Sequence, residues 1–206
     1  NTPEFAWSTK FVKGFDWDHP PSVTSNVLKQ LGLTSGKRIG VEKQCFFYTV
    51  DEHETLTSDH SENKFVDATQ ILWDARMIKS GEEIEVMRKS AHLVDLAMQA
   101  GWDATSPGIT ADSINGIVNK TLLENGGEYV GLPPFVLAGE RTCLPHQTGG
   151  KDKLLNDDVM YFEISASQNR YTAALMRTIF VGNPKDEWIR AAESCIGAVE
   201  AALEII

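Results

Sequence analysis

Val159-Met160-Tyr161-Phe162-Glu163-Ile164-Ser165, then Ser167-Gln168-Asn169-Arg170, then Tyr171-Thr172-Ala173-Ala174-Leu175-Met176-Arg177-Thr178-Ile179-Phe180-Val181, is the stretch whose reading decides the fold. Two runs rich in β-branched and aromatic residues, separated by a short polar segment, read as an antiparallel hairpin. The two-residue period of a strand sets Thr172, Ala174 and Met176 on one side of the second run, and Ala173, Leu175 and Arg177 on the other. Glu163 interrupts an apolar strand between Phe162 and Ile164, and a carboxylate there is costly to bury unless it is paired or hydrogen-bonded. Two explanations stand open. Glu163 could form an ion pair with Arg177 across the hairpin, or it could face a cleft and bind a cationic or amide nitrogen or assist proton transfer.

Upstream, Phe135-Val136-Leu137-Ala138 predicts a further strand, and before it the pattern is helical. Ser80 with Glu83 forms a capping box, and Ile84, Met87, Ala91, Val94 and Met98 predict the buried stripe of a long helix ending near Gly101. Thr110 caps a second helix with Ile114, Ile117, Val118 and Leu122 inward, stopped by Gly126-Gly127. After Asn183-Pro184 a last helix carries Trp188, Ala192, Cys195, Val199 and Leu203 on one side. The segment before Ile78 differs. Pro20-Pro21-Ser22 opens a helix with Val23, Val27 and Leu31 on one face and Gly32 as its stop. Lys37–Glu42 and Phe65–Ala68 predict strands, and the polar Asp51–Asn63 stretch predicts exposed loop or helix surface, which gives α/β material up to about Trp73.

The 206 residues, 42% hydrophobic and 23% charged, are ordinary globular material. A formal net charge of −10 argues against a nucleic-acid partner, which would need a concentrated basic surface. Cys45, Cys143 and Cys195 are odd in number and widely spaced, fitting free thiols in a reducing, cytoplasmic setting. No run approaches the roughly 20 apolar residues of a membrane span. Asn1-Thr2-Pro3-Glu4-Phe5 has neither the basic region nor the apolar core of a signal peptide, and the lack of an initiator Met points to a piece of a longer product. The tryptophans are expected to pack cores or a dimer interface.

Tyr161–Ser165, Tyr171–Thr178, the following Ile179-Phe180-Val181-Gly182 and the upstream Pro145-His146 together resemble the creatinase/prolidase/methionine aminopeptidase superfamily. The resemblance covers nearly the whole chain, most specifically Ile78 to Gly182. It implies an α/β (α+β) architecture: a partial creatinase-type N-terminal domain over 1–76, then over 77–206 the first helix–helix–hairpin half of a pseudo-symmetric pita-bread catalytic domain. Metal-dependent members have Asp where this chain has Glu163 and again where it has Ala174, and alanine offers no ligand atom. The resemblance therefore points to the metal-independent branch, with no metal or cofactor, acting on small non-peptide C–N bonds. His146, in Cys143-Leu144-Pro145-His146-Gln147, matches the histidine that is the general acid/base of creatinase-like enzymes, a role suited to an imidazole. Read without the resemblance, a lone loop histidine is structural more often than not.

Creatinase has Glu at the position of Met176, so creatine is the poorer substrate match. Ectoine hydrolases have Glu at the position of Glu163, and the Phe162-Glu163-Ile164 and Arg170-Tyr171 pairings follow them, although Ser167 stands where they carry Cys. The implied site is catalytic His146 and Glu163, with Met176, Ala174 and Ser167 facing a small nitrogenous substrate and Arg177 in support. The expected assembly is a homodimer. Cys143 lies near His146, but the extended Leu144-Pro145 spacer argues against a Cys–His nucleophile pair. No second ligand pair follows to complete a zinc site. Gly149-Gly150-Lys151 lacks the strand-to-helix setting of a phosphate loop and reads as a turn. Two other functional classes compete with this one: an Xaa-Pro dipeptidase or aminopeptidase, whose metal site Ala174 denies, and a non-catalytic dimerisation or binding module.

Overall fold

A computed structural model of the chain describes residues 14–15 and 17–206; Asn1–Phe5, read above for a signal peptide, lies outside the described residues. The chain divides into two compact units, Asn1–Ile78 and Lys79–Ile206.

In the first unit, helix α1 (Pro20–Gln30), strand β1 (Arg38–Val41), helix α2 (Val50–Asp59), strand β2 (Lys64–Asp67) and helix α3 (Thr69–Met77) alternate, and β1 pairs with β2 in parallel. The polar Asp51–Asn63 stretch is mostly helix α2. Thr49 and Glu52 close a capping box at its start, because Thr accepts the orphan N–H of the first turn and Glu returns the favour. Helix α3 has no counterpart in the sequence reading. The buried face of α1 is also different from the one expected: Pro21 and Ser25 are buried, whereas Leu31 is exposed. Ser25 earns its interior position through a 3.0 Å hydrogen bond to the buried His60 ring.

The second unit runs helix α4 (Gly81–Ala104), helix α5 (Ala111–Glu124), strand β3 (Phe135–Ala138), a 3-10 turn (Gly139–Cys143), strands β4 (Val159–Gln168) and β5 (Tyr171–Phe180), and helix α6 (Asp186–Leu203). The strands form one antiparallel sheet in the order β3-β4-β5. The hairpin loop is tighter than expected. Only Asn169 and Arg170 lie outside the strands, both with left-handed backbone (φ 47° and 70°), the conformation that a two-residue hairpin matching the strand twist requires. Arg170 is an unusual residue there, and its guanidinium rests over the Tyr129 ring, 4.6 Å from the centroid.

The core lies between one sheet face and the two long helices. Val136, Met160, Phe162, Ile164, Ala166 and Ile179 pack against Leu93, Val94, Ala97, Met98, Ile114, Val118 and Leu122. The capping box at Ser80 and Glu83 is present. The buried stripe of α4 keeps Val94 and Met98 of the expected one but is rotated from it: Ile84 and Ala91 are exposed, while Ser90, Leu93 and Ala97 are inside. The helix also continues past Gly101 to Ala104. Trp17, Trp73 and Trp102 are exposed rather than packed in a core. The expected stripe of α6 is not buried either, and no residue of that helix is.

Candidate active site

Register decides which side chains share the open face of the sheet, the one turned away from α4 and α5. Glu163 stands opposite Phe135 on one side and Met176 on the other, and Ser165 stands opposite Ala174. Phe135, Tyr161, Glu163, Ser165, Ser167, Thr172, Ala174, Met176 and Thr178 therefore share this face. Phe162, opposite Arg177, lies on the core face. Glu163 and Arg177 are on adjacent strands but opposite faces, so the ion pair considered for them does not form. Arg177 is exposed and donates to the Met176 carbonyl at 2.7 Å.

Glu163 finds its partners on its own strand and on the loop before it. Tyr161 donates its hydroxyl to Glu163 Oε2 at 2.7 Å, and His146 Nε2 stands 3.9 Å from the same oxygen. Glu163 Oε1 has no hydrogen-bond partner among the described residues and is not a buried orphan, so it keeps some access to solvent. The Glu163 side chain is 12% exposed and that of His146 68%. Burial, reinforced by the bond to Glu163, pushes the Tyr161 phenol up to about 12.

His146 is held by local backbone and by a ring contact. Leu144-Pro145-His146-Gln147 turns with Pro in second place and His146 third at φ 59°, the left-handed slot that type II turns reserve for Gly or Asn. A bulky residue with positive φ marks a site where the surroundings outweigh a local cost. The imidazole stacks on Phe135 with ring centroids 5.0 Å apart and planes at 27°. Arg141 steadies the far side of the loop, donating to Gln147 Oε1 at 3.2 Å and to the Thr148 carbonyl at 3.4 Å. The exposed Cys143 shares no hydrogen bond with His146.

The structure thus gathers His146 and Glu163, adds Tyr161 and Phe135, and leaves Ala174 and Met176 exposed on the same face. Ser167 is not part of that group. It is fully buried, with its hydroxyl 2.6 Å from that of Thr172. The segment Glu128–Leu132 lies over it: Tyr129 bridges to Ser167, and Leu132 bonds Ser165 Oγ. A Cβ at Gly131 would run into Thr172, so glycine is what allows this approach. Sequence reasoning passed over Tyr161 and Phe135. The period of two placed Tyr161 on the side of Glu163, whereas Phe135 needed the register. An open groove of about 1180 Å³ adjoins the site, bounded by the 3-10 turn, Met176–Phe180 and α6; it meets the group above through Met176, not through His146 or Glu163.

Two helices on one face of an antiparallel sheet, with an acid and a histidine on the other, define a fragment of the pita-bread hydrolase fold. The chain belongs to metallopeptidase family M24, matched over residues 85–206. It is similar to ectoine hydrolase of Halomonas elongata, 24% identical over 204 residues, covering 95% of this chain and 51% of that protein. It is also similar to the Xaa-Pro dipeptidase of Pyrococcus furiosus, 26% identical over 172 residues, covering 84% of this chain and 49% of that one. Among solved structures, the prolidase from Pyrococcus horikoshii OT3 superposes with a TM-score of 0.77 at 23% identity, over 84% of this chain and 50% of that chain. The chain spans about half the length of the relatives it matches.

The family name implies a metal, and the described residues do not by themselves supply the donors of a dinuclear centre. Such centres hold two cations close together with several shared oxygen ligands. On the sheet face the ligand-bearing side chain is Glu163, and position 174 on the neighbouring strand presents a methyl group. Among the described residues no group of three or more His, Cys, Asp or Glu converges.

Proposed function

We propose that the complete protein is a metal-independent hydrolase of a small, cationic, non-peptide C–N compound, an ectoine-like cyclic amidine being the best match. The observation that carries this reading is Ala174 beside Glu163 on the open face: one carboxylate remains where a metal pair needs two, and it lies within reach of His146. Each side chain then has a task. His146 takes a proton from water as the water oxygen bonds to the amidine carbon, and returns it to the departing nitrogen as the C–N bond breaks. An exposed imidazole can do both near neutral pH. Glu163 Oε1 binds the positive charge of the substrate, and the Phe135 ring and Met176 supply apolar contact. Methionine opposite Glu163 offers no second charge, which disfavours a guanidinium substrate such as creatine.

The kinship with a named Xaa-Pro dipeptidase favours a second reading, dipeptide cleavage. One comparison separates the two. The complete protein is assayed on ectoine, creatine and an Xaa-Pro dipeptide, each with and without chelator. Turnover of ectoine that resists chelator and falls about 10²- to 10⁴-fold in His146→Ala is expected, the usual contribution of a general acid/base. Dipeptide cleavage alone, lost to chelator and regained with Mn, Co or Zn, would overturn the proposal.

A further inference from the structure

We infer that Tyr161 is a positioning residue: its hydroxyl ties Glu163 down through Oε2, so that Oε1 faces the substrate and His146 is kept beyond hydrogen-bonding distance of the carboxylate. Two donors approach one carboxylate oxygen, and the phenol is much the closer, at 2.7 Å against 3.9 Å for the imidazole. The geometry is fixed by the strand, because residues two apart on β4 project to the same side. A phenol is also a stiff donor, and this one remains protonated far above neutrality because its burial pushes it up to about 12. Oε1 meanwhile has no hydrogen-bond partner among the described residues.

Removing the phenol oxygen leaves His146 as the nearest remaining donor to Oε2. A rotation of the Glu163 side chain then closes the gap, and the charge-assisted bond that results favours the protonated imidazole. Captured in this way, His146 no longer serves as a base near neutral pH. Other ionisable side chains near this loop include Arg141, engaged with Gln147 and Thr148, the exposed Cys143, Glu140 in the 3-10 turn, Asp112 beside Gly149, and Lys151; all stay unchanged in the comparison below.

The test is an NMR titration of the His146 ring in the complete protein, comparing wild type, Tyr161→Phe, Glu163→Gln and the double variant. Phenylalanine keeps the ring and loses only the hydroxyl. Tyr161→Phe should raise the His146 titration midpoint by about one pH unit, the scale expected when an opposite charge closes in, and the double variant should show no such rise relative to Glu163→Gln. No shift in Tyr161→Phe, or the same shift with Glu163 absent, would overturn the inference. The catalytic consequence rests on the function proposed above. With ectoine as substrate, the limb of the kcat profile that reports His146 should move with the NMR midpoint. If the complete protein turns over no such substrate, that function falls, while the titration still decides the role of Tyr161.

Discussion

His146 combines two demands that oppose each other: its ring must stand over Phe135 and near Glu163, yet its backbone sits at φ 59°. For an L-residue with a Cβ the left-handed region costs roughly 1–2 kcal/mol. His146→Ala and His146→Gly both delete the imidazole and its stacking, but only glycine relieves the backbone. Urea denaturation should therefore find His146→Gly more stable than His146→Ala by about 1 kcal/mol, with both equally inactive. Equal stabilities would mean that the turn does not hold this conformation. At this scale two residues expected from the sequence stand close together, 3.9 Å apart. The motif context singled out His146, and the misplaced charge singled out Glu163. Arg177 and Ser167 went astray because side-chain period gives two faces without saying which residues oppose each other or what lies on top. The Phe162–Arg177 register moves Arg177 to the core side, and the Glu128–Leu132 segment covers Ser167.

At the level of elements, local signals read well and tertiary choices read badly. Both ends of the capping box at α4 were visible, whereas its buried stripe was visible only in part, Val94 and Met98 lying inside as expected but a serine taking a core position. Ser90 accepts from Gln168 N at 3.0 Å and donates to the Tyr171 carbonyl at 2.7 Å, stitching α4 to both strands of the hairpin at its turn. Such a partner makes a hydroxyl tolerable inside, and no apolar periodicity announces it. Glu83 does a similar double duty. Its Oε2 accepts from Ser80 N at 2.6 Å and its Oε1 from the Tyr171 hydroxyl at 2.6 Å. These bonds, that of Tyr171 first, hold its carboxyl below the usual range. The folded state thus binds this proton less readily than the unfolded chain, so the stabilisation is complete above the unfolded value near 4.5 and is lost as pH falls through the lower folded one. Glu83→Gln should flatten the acid limb of stability against pH, and Ser80→Ala should cost about 1 kcal/mol at neutral pH. An unchanged acid limb in Glu83→Gln, followed by circular dichroism at graded pH, would count against the pairing with Tyr171.

Across the unit from Lys79 to Ile206, α4, α5 and the sheet converge at one glycine. Periodicity can say that a face is apolar but not what it meets: the stripe of α6 was as readable as that of α5, yet α5 packs on the sheet and α6 has no buried residue. At the convergence point, a Cβ on Gly101 would lie 2.8 Å from Phe162 Cε1 and 3.1 Å from Val118 Cγ2. Phe162 is fully buried and has nowhere to swing. Overpacking of this kind costs about 1–3 kcal/mol, against a gain of up to about 1 kcal/mol from replacing glycine by alanine within a helix. The clash should win, and Gly101→Ala should be destabilised. Gly116, inside α5, is the natural control: a Cβ there meets nothing within 4 Å, so Gly116→Ala should be stabilised by up to about 1 kcal/mol through helix propensity alone. Opposite signs in parallel denaturant titrations are the expected result, and stabilisation in both would show that α4 does not close on the sheet as described. Phe162 also precedes Glu163 on β4, so a shift that makes room for a methyl at position 101 is passed directly to the face that carries Glu163. On the function proposed above, Gly101→Ala in the complete protein should accordingly lower turnover by more than its loss of stability explains, whereas Gly116→Ala should leave turnover unchanged.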